Sequence, residues 1–367
     1  MDVISLTKEL IRFNTINPPG NEKKIALFIG TLLEKHGFVV EYPVYGHERL
    51  HMIASKGLST KIPPIILTGH LDVVPLGAKK WSYDPFEPSI EHGKLYGRGS
   101  SDMKAGIAAL TVAAVESTKD RSMEGGVKLV FTADEELGCR GAKSLMEKGY
   151  DLGKARAVIV GEPTSNHPYI AHKGGLYLEA RTFGVTAHSS MPHLGENAIY
   201  KAARAITKIE KLDLEAEMDP SLGLPTINVG KIRGGLNLNS VPDQAEFTID
   251  VRSTTTFGND TALQKLNTLL GEEVKIEKLV DLRAVSTNEN DAFIKSVFEI
   301  CKLDPTQNDF KKAAPFLTDA SVLTPWLNHP PTVILGPGEP QMAHQTDEFC
   351  YLNKIHDAVK IYSNILK

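Results

Sequence analysis

The sequence predicts an α/β fold: a mostly parallel sheet covered by helices, with a smaller ferredoxin-like α+β unit inserted into it. Three observations carry this prediction. Short β-branched runs alternate with stretches of helical apolar spacing through the first half, the texture changes near Lys173 to a β-α-β-β-α-β order, and the first texture returns after Ala284. The length of 367 residues suits two compact domains at ~100–200 residues each.

The elements follow in order. Ile4–Phe13 carries apolar residues at helical spacing, and Asn17-Pro-Pro-Gly20 stops it. Ile25–Lys35 reads as a second helix ended by His36-Gly37, Phe38–Val44 as a strand, and Ile65–Leu71 as a buried strand. An Ala-rich helix is expected over Met103–Thr118, with strands at Val127–Thr132 and Ala157–Val160. The inserted unit, residues 173–283, reads as strand Gly175–Gly184, helix Glu196–Lys211, strands Thr226–Arg233 and Ala245–Arg252, helix Asp260–Leu270 and strand Val274–Leu282. Residues 1–172 and 284–367 then form one discontinuous domain, closing with strand Thr332–Leu335 and helix Asn353–Leu366.

Composition excludes several classes. The apolar fraction of 41% supports a real core, so wholesale disorder is out. Forty-one basic against 45 acidic residues give −4, no electrostatic reason to expect nucleic acid or an anionic membrane as partner. No apolar run approaches the ~20 residues of a bilayer span. The N-terminal segment mixes charges among its apolar residues and reads as a helix, not a signal peptide. Cys139, Cys301 and Cys350 make neither a disulfide framework nor a CxxC unit, and a cytoplasmic protein is expected.

Residues able to carry chemistry cluster after strand-like runs. His70 and Asp72 follow Ile65–Gly69, Glu135 and Glu136 follow Val127–Thr132, Glu162 follows Val158–Gly161, and His344 lies downstream of Val333–Gly338. Asp102 sits in the glycine-rich turn Gly97–Asp102 before the Ala-rich helix. Ligands of open parallel sheets bind outside the carboxyl ends of the strands, so these residues should converge. Singly each has a plainer account: Asp102 as an N-cap, His70 as a core histidine, Glu135-Glu136 as a solvated pair, Glu162-Pro163 as a turn start.

The order of the motifs is specific. His70-x-Asp72, Gly99-x-x-Asp102-Met-Lys104, Glu135-Glu136-x-Gly138, Gly161-Glu162-Pro-Thr164 and Ala343-His344-Gln-x-Asp-Glu348 resemble the dinuclear-zinc metallohydrolases. That family includes acetylornithine deacetylase, succinyl-diaminopimelate desuccinylase, aminoacylase and glutamate carboxypeptidase, and the resemblance runs from the first helix to the last. It implies a zinc-peptidase-like catalytic domain with an inserted lid and dimerisation domain. It also implies two divalent ions, zinc before cobalt or manganese: His70, Asp102 and Glu162 on one, Asp102, Glu136 and His344 on the other. Two such ions against three carboxylates leave +1, which a bridging hydroxide brings to zero. That hydroxide would attack an amide carbonyl with Glu135 as general base, while the Asp72 carboxylate orients a ligating imidazole. A cis peptide after Asp102 is implied as well.

For the substrate, the resemblance assigns His188, in Gly184-Val-Thr-Ala-His188-Ser-Ser, to the oxyanion, reaching a neighbouring subunit's site. It assigns Asn239 and Arg252 to a substrate carboxylate, Arg252 having a structural ion pair within the lid as its plainer account. Thr318-Asp319 and Gly336-Pro-Gly338 are placed along the acyl pocket or its rim, with Thr318 and Gly338 as contacts. The expected partner is a small N-acyl amino acid, and the expected assembly a homodimer through the lid. Gly161-Glu-Pro-Thr with Ala171-His-Lys-Gly174, and Leu335-Gly-Pro-Gly338 with Ala343-His-Gln-x-Asp-Glu348, most resemble the acetylornithine deacetylase members of the family. Succinyl-diaminopimelate desuccinylase, a peptidase of the family, or a non-catalytic binding relative are the alternatives. The last would lack a ligand or the base, and all six positions are present.

Overall fold

The computed structural model describes residues 1–119, 124–303 and 312–367. The chain divides into two compact units, one of residues 1–171, 286–314 and 318–367, the other of residues 172–285 and 315–317.

The first unit is built on a six-stranded sheet in the order Val39–Glu41, Met52–Lys56, Val127–Thr132, Ile65–His70, Ala157–Val160, Thr332–Ile334. The last four run parallel, while Met52–Lys56 is antiparallel to both of its neighbours. The sheet is therefore mixed, five of its six strands running in one direction and Met52–Lys56 against them. The reason is local: Pro43 has no N–H to give a ladder. It splits the expected strand 38–44 into Val39–Glu41 on the sheet edge and Val44–Gly46, which pairs with Arg49–Leu50 and returns the chain as the reversed strand.

Helices Val3–Arg12, Lys104–Ser117 and Leu352–Ile365 pack together, and with Lys23–Glu34 they share one core with Ile65, Leu67, Leu129 and Ile159. Ile66, Val130, Val158 and Val160 are buried outside that core, so the central strands are covered on both faces and read as continuous apolar runs. Helix Lys104–Ser117 is buried on nearly every residue, which its five alanines and Gly106 permit: a Cβ on Gly106 would lie 2.0 Å from the Gly161 carbonyl oxygen. That close approach sets the chain just before Glu162.

The second unit is a four-stranded antiparallel sheet, ordered Thr226–Gly234, Gln244–Arg252, Gly175–Phe183, Val274–Leu282. Numbered along the chain its strand order is 2-3-1-4, the ferredoxin-like arrangement. Strand Gln244–Arg252 alternates buried and half-buried residues, and its inner side packs on helices Ala198–Glu210 and Asn259–Leu270 through Phe247, Ile249, Ala202 and Leu266. No helix among the described residues is long and apolar enough to cross a membrane.

Candidate active site

Three parallel strands deliver acids and a histidine to one edge of the main sheet. His70 ends strand 65–70, and Glu135 and Glu162 follow strands 127–132 and 157–160 by a few residues. The buried His70 ring is fixed by Nδ1, which donates to the Asp72 carbonyl oxygen at 2.9 Å. A proton on Nδ1 leaves the Nε2 lone pair facing Asp102 Oδ1 at 3.1 Å and Glu162 Oε2 at 3.8 Å. On the other side of Asp102, His344 Nε2 stands 3.4 Å from Oδ2 and 3.2 Å from Glu136 Oε2. Each oxygen of Asp102 thus faces one histidine, and Asp102 caps no helix: Met103 flanks helix 104–117 without a side-chain cap. The peptide after Asp102 is cis.

These contacts gather two sets of ligand atoms, His70 with Asp102 and Glu162, and Asp102 with Glu136 and His344, each within 4.8 Å. Their electrostatics is that of a site short of positive charge. Burial, with Asp102 and Glu136 nearby, outweighs His70 and pushes the Glu162 carboxyl well above its ordinary range. Burial and Asp102 push Glu136 up against its bond to His344, and burial does the same to Glu135, abetted by Glu162 and Asp319. Although burial opposes it, the two histidines hold Asp102 below the usual carboxylate range. Hydrogen bonds to Asp102 and Glu136 raise His344 to about 10. Glu136 Oε1 is buried with no hydrogen-bond donor among the described residues. Two divalent ions fit this set: the donors are imidazole nitrogen and carboxylate oxygen, and one carboxylate faces both halves.

Asp72 departs from its expected part. Its carboxylate is 3.7 Å from His70 Nδ1, and the carbonyl orients the ring instead. The carboxylate accepts the amides of Glu135 at 3.1 Å and Glu136 at 3.2 Å, and Asn17 Nδ2 at 2.8 Å, so it fixes the backbone that carries both glutamates. Behind it Asn17 also donates to Asp134, which Tyr45 and Arg49 hold, and Arg49 forks onto the fully buried Glu22 at 2.8 and 2.5 Å. Replacing Arg49 with Met should leave Glu22 and Asp134 buried without their cation. We expect a loss of ~3–5 kcal/mol in urea unfolding, and a value below 1 would place the network outside the cooperative core.

Sequence reasoning gave Glu348 no role, although it lies in the His344 motif. Its buried carboxylate accepts the amides of Gly99, Ser101 and Asp102 at 2.7–2.9 Å and is paired with Arg98, which sets the Asp102 turn. Asn17 read only as a helix stop. Gly338 packs its backbone on that turn, since a Cβ there would sit 2.1 Å from the Ser101 carbonyl oxygen, so it supports the turn and has no side chain to offer an acyl group. Thr318 is buried and accepts the Ala320 amide, while the adjacent Asp319 faces the Glu135 side. His188, Asn239 and Arg252 belong to the second unit, and His188 and Asn239 are exposed there. His188 Nδ1 contacts the Ser190 hydroxyl at 2.8 Å. Arg252 meets Asp250 at 2.9 and 3.1 Å and lies over the Tyr177 ring, so the structural ion pair exists.

Residues 66–367 match the model of Peptidase family M20/M25/M40. The chain belongs to this family. It is 30% identical over 396 residues to a probable succinyl-diaminopimelate desuccinylase of Staphylococcus aureus, covering 99% of this chain and 98% of that protein. It is 32% identical over 335 residues to an acetylornithine deacetylase of Myxococcus xanthus, covering 86% and 84%. Among solved structures, an M20 family metallo-carboxypeptidase from Sulfolobus solfataricus shares the fold with a TM-score of 0.81 at 20% identity, over 100% of this chain and 99% of that one. As a member of the M20 family the chain is a metallohydrolase acting on amide bonds.

Proposed function

We propose that the chain removes an N-acyl group from an amino acid, with N-acetylornithine as the first substrate and N-succinyl-diaminopimelate as the second. The observation that carries the deacylase reading is the pair of ligand sets sharing Asp102, with the carboxylate of Glu135, a member of neither set, beside them. The near-full-length likeness to the Staphylococcus aureus relative favours the second substrate, and the motifs around Glu162 and His344 the first.

His70, Asp102 and Glu162 would hold one ion and Asp102, Glu136 and His344 the other, zinc suiting the nitrogen and oxygen donors best. When bound, the two ions polarise the scissile carbonyl and lower the pKa of a shared water. The protein's own part is proton traffic and placement. Glu135 takes the proton of the attacking water and delivers it to the leaving nitrogen. Asp72 keeps Glu135 and Glu136 in register through their amides, and Glu348 does the same for Asp102. His188 is assigned to the oxyanion, and Asn239 and Arg252 to the substrate carboxylate. A homodimer through the second unit is part of the proposal: strand 226–234 ends its sheet, and Leu236 and Leu238 are fully exposed beyond it.

A substrate carboxylate must win Arg252 from Asp250. Arg252→Ala should therefore raise KM about 10-fold or more for substrates with a free carboxylate, and little for the matching uncharged amide. Equal effects on both would remove Arg252 from this role. The reading as a whole is tested by hydrolysis of N-acetylornithine, N-succinyl-diaminopimelate, N-acetylmethionine and a dipeptide, with zinc, cobalt or manganese and with chelator. Chelator-sensitive turnover of one acyl amino acid is expected. Turnover confined to the dipeptide would replace the deacylase with a peptidase.

A further inference from the structure

A third group of ligand-bearing residues stands outside the two sets: Glu135, Cys139 and Asp319 each offer an atom within 4.8 Å of the others. The turn after strand 127–132 builds it. The amides of Gly138 and Cys139 both donate to the Glu135 carbonyl, at 2.8 and 2.7 Å, and both residues take positive φ, 99° and 54°. The chain folds back on itself and brings the buried Cys139 thiol 3.4 Å from Glu135 Oε1. Asp319 arrives from the residue before helix Ala320–Trp326, where the Thr132 hydroxyl donates to its Oδ2. Its carboxylate faces the Cys139 thiol, it is only 1% exposed, and among the described residues no N–H or O–H donates to Oδ1. A buried carboxylate oxygen with no stronger donor near it than a thiol is costly, and a cation would satisfy it.

The donor set differs in kind from the nitrogen and oxygen of the other two. A thiolate with two carboxylates selects zinc or cobalt over magnesium or calcium. The 3.4 Å between sulfur and oxygen is close to the ~3.5 Å edge of a tetrahedron with Zn–S of ~2.3 Å and Zn–O of ~2.0 Å. The fourth position would take water.

We propose that Glu135, Cys139 and Asp319 form a third, inhibitory site for zinc or cobalt. Binding exchanges the thiol proton for the metal and releases it to solvent. Glu135 then serves as a ligand and no longer accepts a proton from water, so hydrolysis stops. The site stands on the cluster alone; only its inhibitory consequence rests on Glu135 being the base.

Cobalt(II) added stepwise to the full chain tests this by absorption. Sites of nitrogen and oxygen give only weak visible bands, whereas thiolate-bound cobalt adds an intense near-ultraviolet charge-transfer band. The first two equivalents should bind without that band and a third with it. Cys139→Ser should still bind two and never show it, and Asp319→Asn should weaken the third equivalent at least 10-fold. Zinc in excess should slow hydrolysis by the unaltered chain at least 10-fold more than by Cys139→Ser. Absence of the near-ultraviolet band at every ratio overturns the proposal, as does its persistence in Cys139→Ser, which would assign it to Cys301 or Cys350. The number of equivalents bound without the band reports separately on the dinuclear reading.

Discussion

Glu135→Gln is expected to lower kcat about 10²–10⁴-fold while both metals stay bound. The expectation follows from what Glu135 does and does not touch. Glu135 belongs to neither of the two ligand sets that share Asp102. Its backbone is held through its amide by Asp72, which the substitution leaves alone. Gln is close in volume and keeps an oxygen to accept from the Cys139 thiol, so the turn of residues 133–139 has no reason to rearrange. What is lost is the ability to accept a proton, and the loss should fall on kcat, with KM nearly unchanged. Steady-state kinetics with metal analysis of the same sample checks both halves. Unaltered turnover would relieve Glu135 of the base's role, and loss of one metal would make it a ligand.

What the sequence made legible was what is local. Apolar runs of four to six residues at 65–70, 127–132 and 157–160 marked the parallel strands, and the acids after them marked the edge at which they meet. The β-α-β-β-α-β order of the second unit was equally readable, because each of its strands and helices is 9–13 residues long and keeps its own period throughout. What was not legible depends on partners far apart in the chain. Glu348 reaches the Asp102 amide across 246 positions, and Asn17 reaches Asp134 across 117. Neither residue type advertises such a use, since an Asn before Pro-Pro-Gly is already accounted for as a turn. Asp72 shows the same limit differently: the residue belongs to the site, but which of its oxygens meets His70 is set by backbone geometry. The reversed strand 52–56 was hidden because a run of five residues, Met-Ile-Ala-Ser-Lys, carries little alternation. Its neighbour Pro43 was the available signal.

Asp102→Asn should reduce the metal content from two ions to one and cut kcat by about 10³-fold. Asp102 is the one residue common to both ligand sets, with Oδ1 toward His70 and Oδ2 toward His344. An amide keeps one oxygen and turns the other into an NH₂, which has no lone pair to give a metal. The side chain cannot rotate to serve both halves, because the amides of Gly99, Ser101 and Asp102 are tied to Glu348 and fix the turn that carries it. The retained oxygen should go to the half with the better-buried partners, His70 and Glu162, leaving His344, which is 55% exposed, without its shared carboxylate. Loss of one ion removes several kcal/mol of transition-state stabilisation, and ~4 kcal/mol corresponds to the stated factor. Metal analysis after dialysis should find one ion per chain, and Asp102→Ala should bind that ion more weakly still. Two ions retained in both variants would mean that Asp102 does not bridge, and the centre would have to be rebuilt around Glu136 and Glu162 as separate sites.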